Sequence, residues 1–389
     1  MVALAIAVLP LALWEATRLT VALILLGLSL PAFMSVAGQS ASINIAASDL
    51  LLVLILGALV SRMAVTRSAA ELQALRPVAF AVTQYGAFLF LLLFVHFGTN
   101  EVMQTAQRLE LFLFPLIIGA FAALTNRHVR LLKAYVLAAT LLAAVWPIEH
   151  FGLQKNPAGG MVGNAILLLI AFAPLRSFFP CLLILVPGLL LTESRGAVAA
   201  TTLGLVIIAL ARGGRRGTLL KRVIPVALIA SIAFLLLPAE TTSRLTTYSS
   251  GKRTAGEYAL YIREQYREDA HEVIDAHPWT GVGVGNYLTG DASNLTQAKD
   301  PHQVLLLQAA EGGWAFAASF VLLIGASCLA LYRMRHLEIA PAVAAVFVAT
   351  AAHGLVDIYW VRGTPVLAWL LLGMACGMHM QNARPTQTK

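Results

Sequence analysis

The chain has 389 residues, of which 59% are hydrophobic and only 12% are charged, and its formal net charge is +8. Soluble globular proteins typically have about 45–50% apolar and about 25% charged residues, so this composition argues against a soluble enzyme and excludes an intrinsically disordered chain. Long apolar blocks predict an all-α polytopic membrane protein, whose basic excess lies in cytoplasmic loops rather than on a nucleic-acid surface.

Twelve or thirteen apolar blocks follow one another along the chain, each near the roughly 17–25 residues that a spanning helix needs. The first two are the uncertain pair, because Glu15 and Arg18 interrupt them. We therefore expect about 12 transmembrane helices in one integrated domain, with an N-terminal bundle over 1–238, a loop with amphipathic helices over 239–301 and C-terminal spans over 302–389. The blocks lie near 1–17, 18–36, 48–62, 77–97, 108–125, 129–149, 161–176, 177–192, 195–211, 220–238, 303–332, 338–357 and 363–381.

Loop charges predict the orientation of these spans. When the Arg-rich 212–222 loop is placed inside, alternation puts 17 of the 27 Lys and Arg residues on that side with only three acids. Basic residues concentrate in cytoplasmic loops. The 239–301 loop then lies outside the cytoplasm and the C-terminus lies inside it. In the inner membrane of a Gram-negative bacterial cell, the loop would be periplasmic.

One amphipathic helix is predicted within the outer loop, over residues 256–277. At helical spacing its acids fall on one face and its apolar residues on the other. Arg263 lies inside the apolar arc and Arg267 lies on its edge. Each arginine either covers apolar surface with its stem while its head reaches the interface, or binds an anion near the lipid headgroups.

Ionisable residues also lie at the outer boundaries of apolar blocks, where they are costly and are therefore functional candidates. Arg195, in the segment Glu193-Ser194-Arg195-Gly196, pairs with Glu193, anchors a headgroup or binds a separate partner. The separate partner is slightly favoured, because residues two apart do not share a helix face. His302 opens the block near 303–332 and is either an interfacial capping residue or a catalytic group.

Glu311, His353 and Asp357 extend the candidate site. Glu311 lies roughly 13.5 Å beyond His302 on the same predicted helix and on its opposite side, so these two residues do not form a simple dyad. His353 and Asp357 share one face near the outer end of the 338–357 block. They form either a structural pair or the wall of a site.

The GVGVG segment at 281–285 is typical of a tight turn or a close backbone approach rather than of a dinucleotide site, because no strand precedes it. The three cysteines lie in apolar blocks, and no spacing of histidines or cysteines matches a metal site. We therefore expect neither a cofactor nor a metal ion.

Two arginines and a histidine at one water–lipid boundary indicate chemistry on an anionic lipid headgroup. Arginine binds phosphate oxygens through two parallel hydrogen bonds and stays charged. A pyrophosphate leaves readily when its developing charge is neutralised, and a histidine accepts a proton from an attacking hydroxyl. The pattern favours group transfer from a lipid pyrophosphate.

Three sequence stretches, together with a His–Asp pair near the end of the chain, resemble the O-antigen ligase/polymerase superfamily, which are membrane glycosyltransferases of the GT-C type. These motifs lie within roughly residues 150–360. They are the Ser-Arg-Gly motif at 194–196; Arg263 followed by a helix, a Pro and a GVGxGN-type turn ending at Asn286; Pro-His-Gln at 301–303 with Gln308 and Glu-Gly-Gly at 311–313; and His353 with Asp357. The chain has Gln303 where the family often has Asn.

The resemblance implies that a glycan moves from undecaprenyl pyrophosphate to an acceptor without nucleotide sugar or metal. It implies that Arg195 and Arg263 hold the pyrophosphate and that His302 activates or positions the acceptor hydroxyl. Arg267, Glu311, His353 and Asp357 are then candidate contacts to pyrophosphate or acceptor.

Four functions remain open from the sequence. A ligase would use lipid A–core as acceptor, and the compact outer loop with His302 favours this function. A polymerase would use a second lipid-linked glycan, and a protein O-oligosaccharyltransferase would use a protein. A lipid or polysaccharide transporter would need polar residues through the bilayer, whereas the charges here cluster at its outer edge.

Overall fold

The computed structural model describes residues 16–31, 47–148, 154–211, 255–289, 301–357 and 363–383. Within these ranges all regular structure is helical, which confirms the predicted all-α fold class. The helices are α1 Ala16–Ser29, α2 Ala47–Thr66, α3 Ala70–Ala74, α4 Ala79–Val95, α5 Thr99–Leu124, α6 His128–Val145, α7 Lys155–Ala171, α8 Leu182–Leu191, α9 Arg195–Ala211, α10 Ala255–Ala276, α11 Asn286–Thr289, α12 Val304–Arg333, α13 Ala340–Gly354 and α14 Val366–Ala383.

Successive long helices run in opposite directions between two ends of a bundle. At one end, which we name the basic end, Arg127 before α6 donates from Nε to Oγ1 of Thr20 at 2.7 Å. Gln381 of α14 donates there to the carbonyls of Ala123 and Leu124. The opposite end, which we name the loop end, carries the start of α9, helix α10 and the start of α12.

Helices α5, α7 and α14 form the centre of the bundle, and α14 is buried over its first twelve residues. Helices α5 and α14 approach closely through glycines. A Cβ atom built on Gly119 would lie 2.0 Å from the carbonyl oxygen of Leu370, and one on Gly373 would lie 2.1 Å from that of Leu116. Small residues of this kind let membrane helices pack backbone to backbone, because lipid supplies no hydrophobic drive for association.

Six helical segments of the described residues are long and apolar enough to cross a membrane, and three further apolar helices are shorter. This confirms a polytopic helical membrane protein. The number of about 12 spans stays a prediction, because the 220–238 block and nearly all of the 1–17 block lie outside the described residues. The three-part division of the chain also stays a prediction.

Three predicted blocks have different boundaries in the structure. The block near 108–125 is the apolar part of α5, which begins nine residues earlier at Thr99 with a polar first turn. The blocks near 161–176 and 177–192 are separated by a 3-10 segment, Ala173–Cys181, that contains two prolines. Proline lacks the N–H that an α-helix needs, so the chain cannot continue helix α7 there.

Helix α10 is amphipathic, as predicted. Ala270 and Ile274 are 0% exposed and pack against Leu306, Leu307 and Ala310 of α12. The described acids of α10 lie on the opposite face and are mostly exposed. The helix therefore lies against the start of α12 with its apolar side.

We expect Gly373→Ala to destabilise the protein, because the new methyl would overlap the backbone of α5. Overpacking of a tight contact costs typically about 1–3 kcal/mol. The thermal unfolding midpoint of the detergent-purified protein should fall. Gly325→Ala in α12 is the matched control, since a Cβ there would meet no atom within 4 Å. Equal midpoints for the two variants would contradict the close approach.

Candidate functional site

A capped helix start presents Arg195 at the loop end. Oγ of Ser194 accepts a hydrogen bond from the backbone N–H of Ala197 at 3.2 Å, which is the geometry of a helix N-cap. The same hydroxyl donates to Oδ1 of Asn156 at 2.9 Å, at the start of α7. Glu193 turns the chain with a φ of 54°. Arg195 is the first residue of α9, and its side chain is exposed.

The end of α13 packs against this helix start. A Cβ atom on Gly196 would lie 2.8 Å from Nε2 of His353, whose residue is only 1% exposed. The backbone N–H of Asp357 donates to the carbonyl of His353 at 3.0 Å, in the turn that follows α13. Gly196 thus brings the end of α13 close to the helix start that carries Arg195.

An ion pair joins α10 to this turn. Nη2 of Arg263 lies 3.0 Å from Oδ2 of Asp357, and the two side chains are 26% and 5% exposed. A guanidinium has five N–H donors, so donors remain for a further anion. Arg267 lies one turn further along and contacts Glu264 of its own helix at 3.5 Å. Within the part of the chain that the structure describes, the ion pair of Arg263 reaches another element and that of Arg267 does not.

His302 lies against the same helix, beside Tyr266. The two rings are stacked, with centroids 6.3 Å apart and planes inclined by 21°. The N-cap of α12 is Gln303, whose side chain accepts from the N–H of Leu306 at 3.0 Å, so His302 does not cap this helix. The side-chain amide of Gln303 therefore caps the start of α12. Arg263 and Tyr266 are three residues apart, which places both on one side of α10.

The GVGVG segment docks onto a break in α12. Gly313 has a φ of 74° and a ψ of 178°, which interrupts the helix. The backbone N–H groups of Val282 and Gly283 donate to the carbonyls of Ala310 and Glu311 at 3.0 and 2.9 Å. A Cβ on Gly281, whose φ is 59°, would lie 2.3 Å from the backbone of Glu311. The predicted tight turn with close backbone approach is confirmed.

Glu311 is 0% exposed, and protein groups engage both of its carboxylate oxygens. Oε2 forms an ion pair with Nη2 of Arg108 in α5, and Oε1 accepts from the N–H of Gly285 at 2.9 Å. These partners are Arg108 and Gly285 rather than His302, in keeping with the expectation that Glu311 and His302 do not form a simple dyad. The substrate contact predicted for Glu311 stays a prediction.

Arg108 and its neighbours were not found by sequence reasoning. Oη of Tyr85 in α4 donates to Oε1 of Gln308 at 2.9 Å, inside the bundle. The available signal was that Arg108, the tenth residue of the 26-residue α5, and Glu110 are charges at the start of its apolar part. The predicted block began at 108 and therefore treated this arginine as a boundary residue.

The structure thus brings together elements that carry most of the predicted site. Gly196, which follows Arg195 in the chain, packs against His353. Asp357 binds Arg263, and His302 stacks on Tyr266 of the helix that carries Arg263. Among the described residues no three His, Cys, Asp or Glu side chains lie close enough to hold a metal ion. The expectation of metal-independent chemistry stays a prediction.

Comparison with known proteins finds one family model that matches part of the chain. A family model described as O-antigen ligase matches residues 180–321, which include Arg195, Arg263, His302 and Glu311. This match confirms the resemblance to the O-antigen ligase/polymerase superfamily. No curated protein matches the chain significantly.

We expect Asp357→Ala to loosen α10, because it removes the ion pair that joins this helix to α13. Backbone amide exchange over residues 263–276 should become roughly 10-fold faster, as local opening requires less free energy. Hydrogen-exchange mass spectrometry measures this directly. The control is Glu264→Gln, which removes an exposed pair within the helix and should change little. Identical exchange in both variants would show that the pair does not hold α10.

Proposed function

We propose that this protein, whose residues 180–321 match the O-antigen ligase family, transfers a glycan from undecaprenyl pyrophosphate to lipid A–core. The observation that carries the proposal is the convergence of an exposed arginine, a partnered arginine and a stacked histidine at one end of the bundle. By the loop-charge argument this end faces the periplasm of a bacterial inner membrane.

Arg195 and Arg263 are the proposed pyrophosphate ligands. Arg195 is exposed at the N-terminus of a 17-residue helix, where backbone N–H groups and the helix dipole also favour an anion. Asp357 holds Arg263 in place and leaves most of its N–H donors for phosphate oxygens. Arg267, at the edge of the same face, is a proposed outer contact to the headgroup.

The proposed reaction is a single displacement at the anomeric carbon of the donor sugar. The acceptor hydroxyl oxygen forms the new glycosidic bond, while the bond between the anomeric carbon and the phosphate oxygen breaks. The electron pair of that bond leaves with undecaprenyl pyrophosphate, and the two arginines stabilise its negative charge. The proton of the acceptor hydroxyl passes to the imidazole of His302.

His353 and Asp357 form the proposed wall of the site. Because His353 is almost fully buried against Gly196, it defines the distance between α9 and α13. Asp357 acts on the donor through Arg263. The acceptor distinguishes the ligase from its alternatives, since a polymerase or a protein O-oligosaccharyltransferase would use the same donor chemistry.

We expect Arg195→Ala and Arg263→Ala each to lower transfer by at least about 100-fold, because each removes charge stabilisation of the leaving pyrophosphate. The assay uses purified protein, an undecaprenyl-pyrophosphate glycan and lipid A–core, with products separated on a gel. Arg335→Ala, an exposed arginine that stacks on Tyr332 just after α12, is the matched control. Full activity in either site variant would contradict the pyrophosphate role.

We expect His302→Ala to lose roughly 100- to 10,000-fold in transfer rate while still binding donor lipid, because it lacks the proton acceptor but retains both arginines. Rates come from the same assay, and donor binding is measured by fluorescence competition. His271→Ala, an exposed histidine on α10, is the control. Unchanged transfer by His302→Ala would remove this residue from the mechanism.

A further inference from the structure

A buried ion pair inside the bundle contacts the loop that follows α10, near His302, the proposed proton acceptor. Arg108 is a membrane-helix residue whose side chain is 12% exposed, and it binds Glu311, whose side chain is 0% exposed. A charge in such surroundings is costly unless it is paired, so this pair indicates a specific role. The catalytic steps proposed above use neither residue.

Glu311 also binds the loop that follows α10. Its second carboxylate oxygen accepts the N–H of Gly285 at 2.9 Å. Gly285 has a φ of 83°, and a Cβ there would lie 2.2 Å from the side chain of Gln104 in α5. The loop therefore packs closely against α5 at Gly285, the residue that Glu311 binds.

The connection continues from the loop to His302. Tyr287, two residues after Gly285, donates from Oη to the carbonyl of Tyr266 at 3.1 Å. Tyr266 is the residue whose ring stacks on His302. A chain of contacts thus runs from the buried guanidinium through the loop to the histidine.

We propose that Arg108 and Glu311 are positioning residues, which hold His302 in its reactive place through Gly285, Tyr287 and Tyr266. This inference rests on the proposed function, because it assigns His302 the acceptor proton. The ion pair anchors the loop to the membrane-embedded bundle. The loop in turn sets the position of the Tyr266 ring on which His302 lies.

The test compares single and double neutral variants of the full-length protein. Glu311→Gln or Arg108→Gln alone leaves one buried charge without its partner, which is strongly destabilising locally. Amide exchange over residues 278–287 should become at least roughly 10-fold faster. The transfer kcat should fall while KM for the donor stays constant, since Arg195 and Arg263 are untouched.

The double variant Arg108→Gln/Glu311→Gln should recover much of both losses, because neither buried charge is left unpaired and the new amide oxygen at position 311 can still accept from Gly285. It remains informative if a single variant folds poorly. The matched control is Glu71→Gln, which breaks another largely buried carboxylate pair, with Arg62, at the basic end. This control should leave loop exchange and kcat unchanged.

Three outcomes would overturn the proposal: loop exchange in Glu311→Gln equal to that in Glu71→Gln, no recovery in the double variant, or lost transfer with a fully protected loop. The last outcome would indicate that Glu311 contacts substrate directly. If the wild-type protein transfers no glycan at all, the proposed function fails, and the exchange data still show whether the ion pair anchors the loop.

Discussion

The break in α12 at Gly313 is the constraint on which the candidate site depends. An unbroken helix would use the carbonyls of Ala310 and Glu311 within its own hydrogen-bond ladder. With the helix interrupted, these carbonyls accept from the N–H groups of the loop after α10, and the N–H of Trp314 donates to the carbonyl of Pro278. Backbone groups near the bilayer must be satisfied within the protein, so the break and the loop stabilise each other. Together they fix where α10 lies.

Two kinds of charge result from this arrangement. Arg195 is exposed, and Arg263 is partly exposed beside Asp357, so both can still meet a ligand. Arg108 and Glu311 are buried and use their charges on each other and on the loop. The exposed arginines are suited to binding an anionic headgroup. The buried ion pair is suited to stabilising the elements around that site.

Sequence patterns predicted the features that depend on neighbouring residues. The apolar face of α10 follows from helical periodicity and the tight turn follows from its glycines, and the described residues agree with both predictions. The orientation from loop charge stays a prediction. The ion pairs Arg263–Asp357 and Arg108–Glu311 could not be predicted from the sequence, because their members lie 94 and 203 residues apart in the chain. Such pairs form only when helices that are distant in sequence pack together. The start of α5 was misplaced because its polar first turn carries no hydropathy signal.

The most direct test is a structure of the protein in lipid nanodiscs with undecaprenyl pyrophosphate bound. We expect the diphosphate density at the loop end, within hydrogen-bond distance of the guanidinium groups of both Arg195 and Arg263 and facing the His302 ring. Density at the basic end, against Arg62 or Arg127, would contradict the proposed site and the function built on it.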